Sequence, residues 1–302
     1  MNPDAPDRVV KASFKTETTS DITSGIACAV KNVIASVPHG NILSVNIGTT
    51  HFINAVVTAD STKLNPVAVL RLCGPFTREI PPFTDFPPRL RTILTGYIGY
   101  LQGGVEIDGR VIDDIDEQEV REHAEKIKSA GIRAITIVGV FSPLDSASTS
   151  QEAQVQKIIR DIIPDADIVC SRDIGRAGIL ERENASILNA SIMEIGRQII
   201  QGFEDAVLSM NLTCPLYLTQ NDGTLMDAAS ACKTPIKTFS SGATVCKAQS
   251  EFERYRWTTK PYLELADGCN FSFWNSFQRF WSRPKLLSSY HGMKLLLVAS
   301  TR

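Results

Sequence analysis

The sequence predicts an α/β fold of mixed sheets with flanking helices, and three observations carry that expectation. Ala134 to Val140, AITIVGV, is almost wholly apolar and rich in β-branched residues, the composition of a strand buried on both faces of a parallel sheet. Amphipathic helical spacing precedes it, from Asp116 to Ala130, and follows it, from Ser148 to Ile163, before a further strand from Asp167 to Ser171. That alternation defines βαβ units with right-handed crossovers. Short apolar runs also end abruptly in small or polar residues, as Val67–Leu72 does at Gly74-Pro75 and Leu216–Thr219 does at Gln220-Asn221-Asp222-Gly223. Ligands of open α/β sheets bind at such carboxyl ends.

In chain order, Val9 to Phe14 reads as a short extended segment. Thr19-Ser20-Asp21 supplies caps for a helix carried by Ile22, Ile26, Val30, Val33, Ile34 and Val37 and ended by Pro38 and Gly40. Ile42 to Val45 reads as a buried strand that stops at Gly48. Pro75, Pro81, Pro82, Pro87 and Pro88 crowd the stretch after Leu72, which predicts an ordered loop pinned to the core by Phe76, Phe83 and Phe86. Arg78 and Arg89 in this stretch read as solvated charge, with an anion clamp as the alternative. Asp108-Gly109 between alternating apolar residues predicts a hairpin within Gly103 to Ile112. Asp116 with Glu119 resembles a capping pair, and Gly131 a helix C-cap.

Leu180 to Met210 is one long helical pattern. Its Glu181 to Glu183 stretch reads as solvated helix charge, and Asn184 and Asn189 as packing or hydrogen-bonding groups between helices. Lys237 to Phe239 predicts a short strand delivering Ser240-Ser241-Gly242. The character changes after about Ala248: all three tryptophans, Trp257, Trp274 and Trp281, fall there, without clear α/β alternation. Residues 249–302 are expected to be poorly ordered.

Composition narrows the function classes. A chain of 302 residues, 43% hydrophobic and 21% charged, has the balance of a soluble globular protein with one large or two ordinary domains. A net charge of -2 argues against nucleic acid and anionic membranes as partners. The polar start, MNPDAPDRVV, lacks the apolar core of a secretory signal, and no run is long enough to span a bilayer. Seven scattered cysteines without CxxC spacing read as reduced, mostly buried thiols of a cytoplasmic protein rather than a zinc site, with Cys73 a packed core thiol.

The candidate site is built around Ser44 to Val57, SVNIGTTHFINAVV. Thr49 and Thr50 after Gly48 suit an anion or polar ligand, and His51 is placed to bind a metal, donate to a carbonyl or move a proton. The same letters also describe a tight turn whose threonines cap a helix. Asp222 can orient water or accept a proton, and Asn221-Asp222-Gly223 is equally a common turn sequence.

Six stretches in this order resemble the ATP-dependent hydantoinase and 5-oxoprolinase family. They are Gly48-Thr-Thr-His-Phe-Ile-Asn54, Val69-Leu-Arg-Leu-Cys-Gly-Pro75, Val138-Gly-Val-Phe-Ser-Pro143, Leu180-Glu-Arg-Glu-Asn-Ala-Ser-Ile-Leu-Asn-Ala190, Leu218-Thr-Gln-Asn-Asp-Gly-Thr224 and Ile236-Lys-Thr-Phe-Ser-Ser-Gly242. The resemblance implies part of an actin-like, sugar-kinase-like ATPase fold. It also implies ATP-driven opening of a small cyclic amide such as 5-oxoproline or a hydantoin, with ATP and Mg²⁺ as cofactors. Residues 1–178 would be the family's N-terminal region, residues 179–248 the start of its ATPase-like domain, and residues 249–302 a divergent tail.

Carried over by motif, His51 and Asp222 would be catalytic, and Thr49, Thr50, Asn54, Gln220 and Asn221 would contact the substrate. Gly223, Thr224, Ser241 and Gly242 would approach the nucleotide, and no metal ligand is assigned. Two Asp-x-Gly-Gly-Thr phosphate hairpins belong to the family pattern, and the sequence contains no Gly-Gly-Thr. The chain is therefore expected to begin after the first hairpin, to lack the second, and to be inactive alone. It would then be a non-catalytic fragment, or a subunit completed by a second hydantoinase-type chain or by self-association.

Overall fold

A computed structural model describes residues 28, 30–32, 35, 42, 44–48, 51–239 and 241. The segment at Val9 to Phe14 and the tail from residue 249 lie outside them, as do most of the helix expected from Ile22 to Val37. Within that helix, residues 28 and 30–32 are helical, and Val30 is fully buried.

The described elements are β1 (Val45–Ile47), α1 (His51–Val57), β2 (Val67–Leu72), α2 (Pro88–Leu94), β3 (Thr95–Leu101), α3 (Glu117–Ser129) and β4 (Ala134–Gly139). They continue with α4 (Gln151–Ile162), β5 (Asp167–Cys170), α5 (Ile179–Ser209), β6 (Leu216–Thr219), β7 (Leu225–Asp227) and α6 (Ala228–Lys233). A 3₁₀ turn, Pro235–Thr238, follows.

Four strands form a parallel sheet in the order β3-β2-β4-β5. Its central strands β2 and β4 are buried at every residue, as their unbroken apolar sequences require. One face, with Ala68, Leu70, Leu72, Ile135 and Ile137, packs on Val120, Ala124 and Ile127 of α3 and Val155 and Ile159 of α4. The opposite face, with Val67, Val69, Ala134 and Val138, packs on the 31-residue α5. The same core reaches Val45 and Ile47 of β1 and Leu218 of β6, so α5 stands between this sheet and the smaller sheet β1-β6-β7. There β1 and β6 run parallel, and β7 returns antiparallel.

The helix starts follow their caps. Asp116 accepts from the N–H groups of Gln118 and Glu119 at 2.9 and 3.2 Å, and Ser150 from Ala153 N–H at 3.3 Å. Glu119 does not complete a reciprocal box; its carboxylate accepts instead from Gln102 N–H at 2.8 Å. The Asp108-Gly109 hairpin is present as a single antiparallel bridge, Val105 to Val111.

Several expectations are corrected. Lys237 to Phe239 is not a strand: Pro235 opens a 3₁₀ turn, and the Ile236 N–H and C=O bond to asparagine side chains instead of a ladder. Phe83 and Phe86 are buried, but Phe76 is 51% exposed and pins nothing. The Pro-rich loop gives way to α2, with Pro88 in its first turn, and then to the unforeseen strand β3. Gly99 in β3 is required by close approach, because a Cβ there would lie 2.6 Å from His123 Nδ1.

The charges at Glu181 to Glu183 are not solvated as a group. Arg182 is 2% and Glu183 1% exposed, and Glu183 pairs with the fully buried Arg71. Asn184 and Asn189 are structural as expected, bonding to Asp85 and to Lys233 and Ile236.

The described thiols are free, and Cys73 is packed in the core as expected, but they are not mostly buried, since Cys214 and Cys232 are only partly covered. Cys73 and Cys170 are buried and Cys28 is exposed. Burial, reinforced by Glu152 and Asp173, pushes the Cys170 thiol up to about 12. At pH 8 its thiolate fraction is then roughly one in ten thousand. Iodoacetamide treatment of the native chain should label Cys28 and spare Cys73 and Cys170, as read by peptide mass. Rapid labelling of Cys170 before unfolding would contradict this packing.

Candidate active-site edge

The fold offers two carboxyl edges where a ligand could sit, and they differ in kind. The edge of the four-stranded sheet is filled by its own side chains. Arg71 Nε and Nη2 donate to the two Glu183 oxygens at 2.9 and 2.6 Å, while Nη1 donates to the carbonyls of Thr77 and Ile80. Burial pushes the Glu183 carboxyl up, against the pull of Arg71 and Arg182.

Beside this pair, the fully buried Glu152 accepts from Gly139 N–H at 2.8 Å, Ser171 Oγ at 2.6 Å and Arg172 N–H at 3.0 Å. Arg182 donates to Ser171 Oγ at 2.9 Å and to the Gly139 carbonyl. The gap among Leu72, Gly104, Val140, Ser142 and Glu152 has no room for a water-sized ligand. These buried charges act on the fold, and the sequence reading missed them.

The second edge belongs to β1 and β6. Their register pairs Val45 with Leu216, Asn46 with Tyr217 and Ile47 with Leu218. The segment after Ile47, beginning at Gly48, therefore leaves the sheet beside the segment after Thr219, beginning at Gln220. Two motifs far apart in sequence share one carboxyl edge, as expected for a ligand site of an α/β sheet. His51 opens α1, and Asn54 follows one helical turn later with its side chain exposed. Thr49, Thr50 and Gly242 lie outside the described residues.

Gln220 to Thr224 forms the tight turn between β6 and β7. Gln220 N–H donates to Thr224 O at 2.7 Å and Gly223 N–H to Gln220 O at 3.1 Å. Gly223 has φ +89°, a left-handed conformation that glycine adopts without strain. Asp222 Oδ1 accepts from Thr224 Oγ1 at 2.7 Å and Thr224 N–H at 2.9 Å. The Thr224 hydroxyl, helped by its N–H, holds the Asp222 carboxyl below the usual carboxylate range. A depressed carboxylate is a weak proton acceptor and a good anionic anchor for water or a donor group.

Gln220 and Asn221 are half-buried, and Asp222, Gly223 and Thr224 are exposed at the tip. Ser241 is buried, three residues beyond the 3₁₀ turn that bonds to Asn221. The spacing argument also passed over Asn46. Its Oδ1, on β1 opposite Tyr217, is a buried acceptor without a hydrogen-bond partner. Only such an orphan, invisible in sequence, marks it. Among the described residues no group of three His, Cys, Asp or Glu side chains could hold a metal ion. No helix among them is long and apolar enough to cross a membrane.

An α/β chain with these sheets has recognisable relatives. The hydantoinase/oxoprolinase N-terminal region matches residues 4–163, and the hydantoinase/oxoprolinase domain matches residues 182–254. The chain belongs to the hydantoinase/oxoprolinase family.

Among solved structures it is similar to a nucleotide-free acetone carboxylase, an ATP-dependent enzyme. The TM-score is 0.62 at 14% identity, covering 81% of this chain and 37% of that one. It is also similar to the ATP-dependent caprolactamase from Pseudomonas jessenii, with a TM-score of 0.51 at 18% identity, covering 79% of this chain and 37% of that one. At these identities the likeness concerns the fold, and the chain spans 37% of the length of either relative. No curated protein matches the chain in sequence.

Proposed function

We propose that the carboxyl edge of β1 and β6 binds a small cyclic amide, 5-oxoproline or a hydantoin, for ATP-dependent ring opening. The observation that carries this reading is the parallel pairing of β1 with β6, which sets the Gly48 and Gln220 segments side by side. Family membership supplies the reaction class. A lactam carbonyl resists water because of amide resonance, and ATP supplies the activation that overcomes it. In this reading the half-buried Gln220 amide turns from its Thr224 hydroxyl partner to the ring, Asn221 lines the ring while keeping its bond to Ile236, and anionic Asp222 holds water at the exposed tip. By motif alone, His51, Thr49, Thr50 and Asn54 are proposed to contact the substrate, and Gly223, Thr224, Ser241 and Gly242 the nucleotide.

Family membership implies ATP use, and Gly223, Thr224 and Ser241 are the described residues proposed to approach the nucleotide. No metal-holding group is present among the described residues, and the 302 residues contain no Gly-Gly-Thr. These 302 residues are proposed to bind the cyclic amide, and ATP turnover to need phosphate-gripping residues outside them.

Calorimetric titration with 5-oxoproline and hydantoin tests the binding. Binding of one of them, weakened about tenfold in Gln220→Ala by the lost hydrogen bond, is the expected result. Absence of binding to either compound would overturn the site. ATP turnover by the purified chain in the presence of 5-oxoproline would overturn the proposed dependence on other residues.

A further inference from the structure

Two asparagines grip one short peptide segment from opposite sides. Asn189, on α5, is fully buried. Its Nδ2 donates to the Lys233 carbonyl at 3.0 Å, and its Oδ1 accepts from Ile236 N–H at 3.1 Å. The carbonyl of the same Ile236 accepts from Asn221 Nδ2 at 2.9 Å. Asn221 N–H in turn donates to the Lys237 carbonyl at 2.7 Å. An amide side chain presents a donor and an acceptor side by side, so it substitutes for a neighbouring strand. That is why residues 235–238 need no ladder.

The relay has a direction. It begins in the core at α5, passes through the 3₁₀ turn and ends on the Gln220 to Thr224 turn. Lys237 Nζ also donates to the Asp173 carbonyl at 3.0 Å, tying the same segment to the 3₁₀ turn that follows β5. We propose that Asn189 is a positioning residue, which fixes the Gln220 to Thr224 turn through Ile236 and Asn221. The inference rests on reading that turn as a wall of the cyclic-amide cleft. Asn189 itself takes no part in binding.

Native-state amide hydrogen exchange on the full 302-residue chain separates positioning from general stabilisation. In Asn189→Ala, amides of residues 220–227 and 236–239 are expected to exchange about tenfold faster, as loss of two hydrogen bonds to the segment implies. Strands β2 and β4 keep their protection. Asn184→Ala, at a similarly buried position on the same helix but bonded to Asp85, leaves residues 220–227 unchanged. Asn221→Ala, which removes the other side-chain bond to Ile236, is expected to accelerate the same amides, and it carries the test if Asn189→Ala does not fold.

Unchanged exchange at 220–227 in Asn189→Ala, equal acceleration in Asn184→Ala, or uniform acceleration of every strand would overturn the inference. A parallel titration should show 5-oxoproline affinity falling about tenfold in Asn189→Ala, by the same hydrogen-bond argument. A parent chain that binds no cyclic amide counts against the cleft alone, and the exchange data still decide the relay.

Discussion

Replacing Arg71 with methionine is expected to destabilise the fold by about 3–5 kcal/mol, because it leaves the Glu183 carboxylate buried without its partner. Arg71 is fully buried, makes both bonds to Glu183 and holds the loop carbonyls of Thr77 and Ile80. Methionine retains the apolar stem and removes all four bonds. For a fold of this size the loss corresponds to roughly 10 °C in melting temperature.

The deficit should depend on pH. Burial already raises the Glu183 carboxyl, and loss of Arg71 raises it further. A carboxyl raised in the folded state contributes stability below its unfolded value, near 4.3, and that contribution is lost as pH rises through the folded value. Arg71→Met should therefore fall furthest behind the parent near neutral pH and recover part of the gap near pH 4. Adding Glu183→Leu should restore much of the lost stability, because an apolar pair packs without desolvation cost. A melting temperature within a degree of the parent at pH 7 would contradict the buried pair.

Glu152→Ala is expected to be comparably severe, about 3–5 kcal/mol. The carboxylate serves Gly139 N–H, Arg172 N–H and Ser171 Oγ, and it lies beside the buried Arg182. Truncation strands two backbone donors and a hydroxyl, and it removes negative charge from the neighbourhood of the Arg182 guanidinium. Glu152→Gln keeps one oxygen acceptor and the side-chain volume, so it should lose less, about 1–3 kcal/mol. Urea unfolding should show the midpoint falling in the order parent, Gln, Ala with unchanged slope. Equal midpoints for Gln and Ala would show that the acceptor geometry at β4 and β5 does not matter.

These effects come from the part of the molecule that sequence reading saw least well. Strands β2 and β4 were legible because residues buried on both faces must be apolar throughout. The long α5 was legible from its periodicity, and the cap at Asp116 from its side chain, whereas the helix expected from Ser148 starts after the Ser150 cap. Strand β3 was not, because TGYIGYL mixes glycine and tyrosine at an edge where packing, not pattern, decides. Strand β7, only three residues long, carries no periodic signal.

The buried charges were hidden for a different reason. A charged letter in a helix reads as solvent-facing unless its partner is known, and Arg71 and Glu183 are 112 residues apart. The candidate site divides in the same way. Its turn at Asn221-Asp222-Gly223 was readable from local chemistry. The approach of Gly48 to Gln220 was not, since it depends on one strand pairing between distant segments.

The most direct test of the binding edge is a backbone-amide NMR titration with 5-oxoproline. The amides of Gly48, Asn54 and residues 220–224 are expected to shift together with one affinity. Residues 139–145 and 171–173, at the filled edge of the other sheet, should stay unmoved. Shifts confined to that filled edge, or none at saturating ligand, would contradict the account.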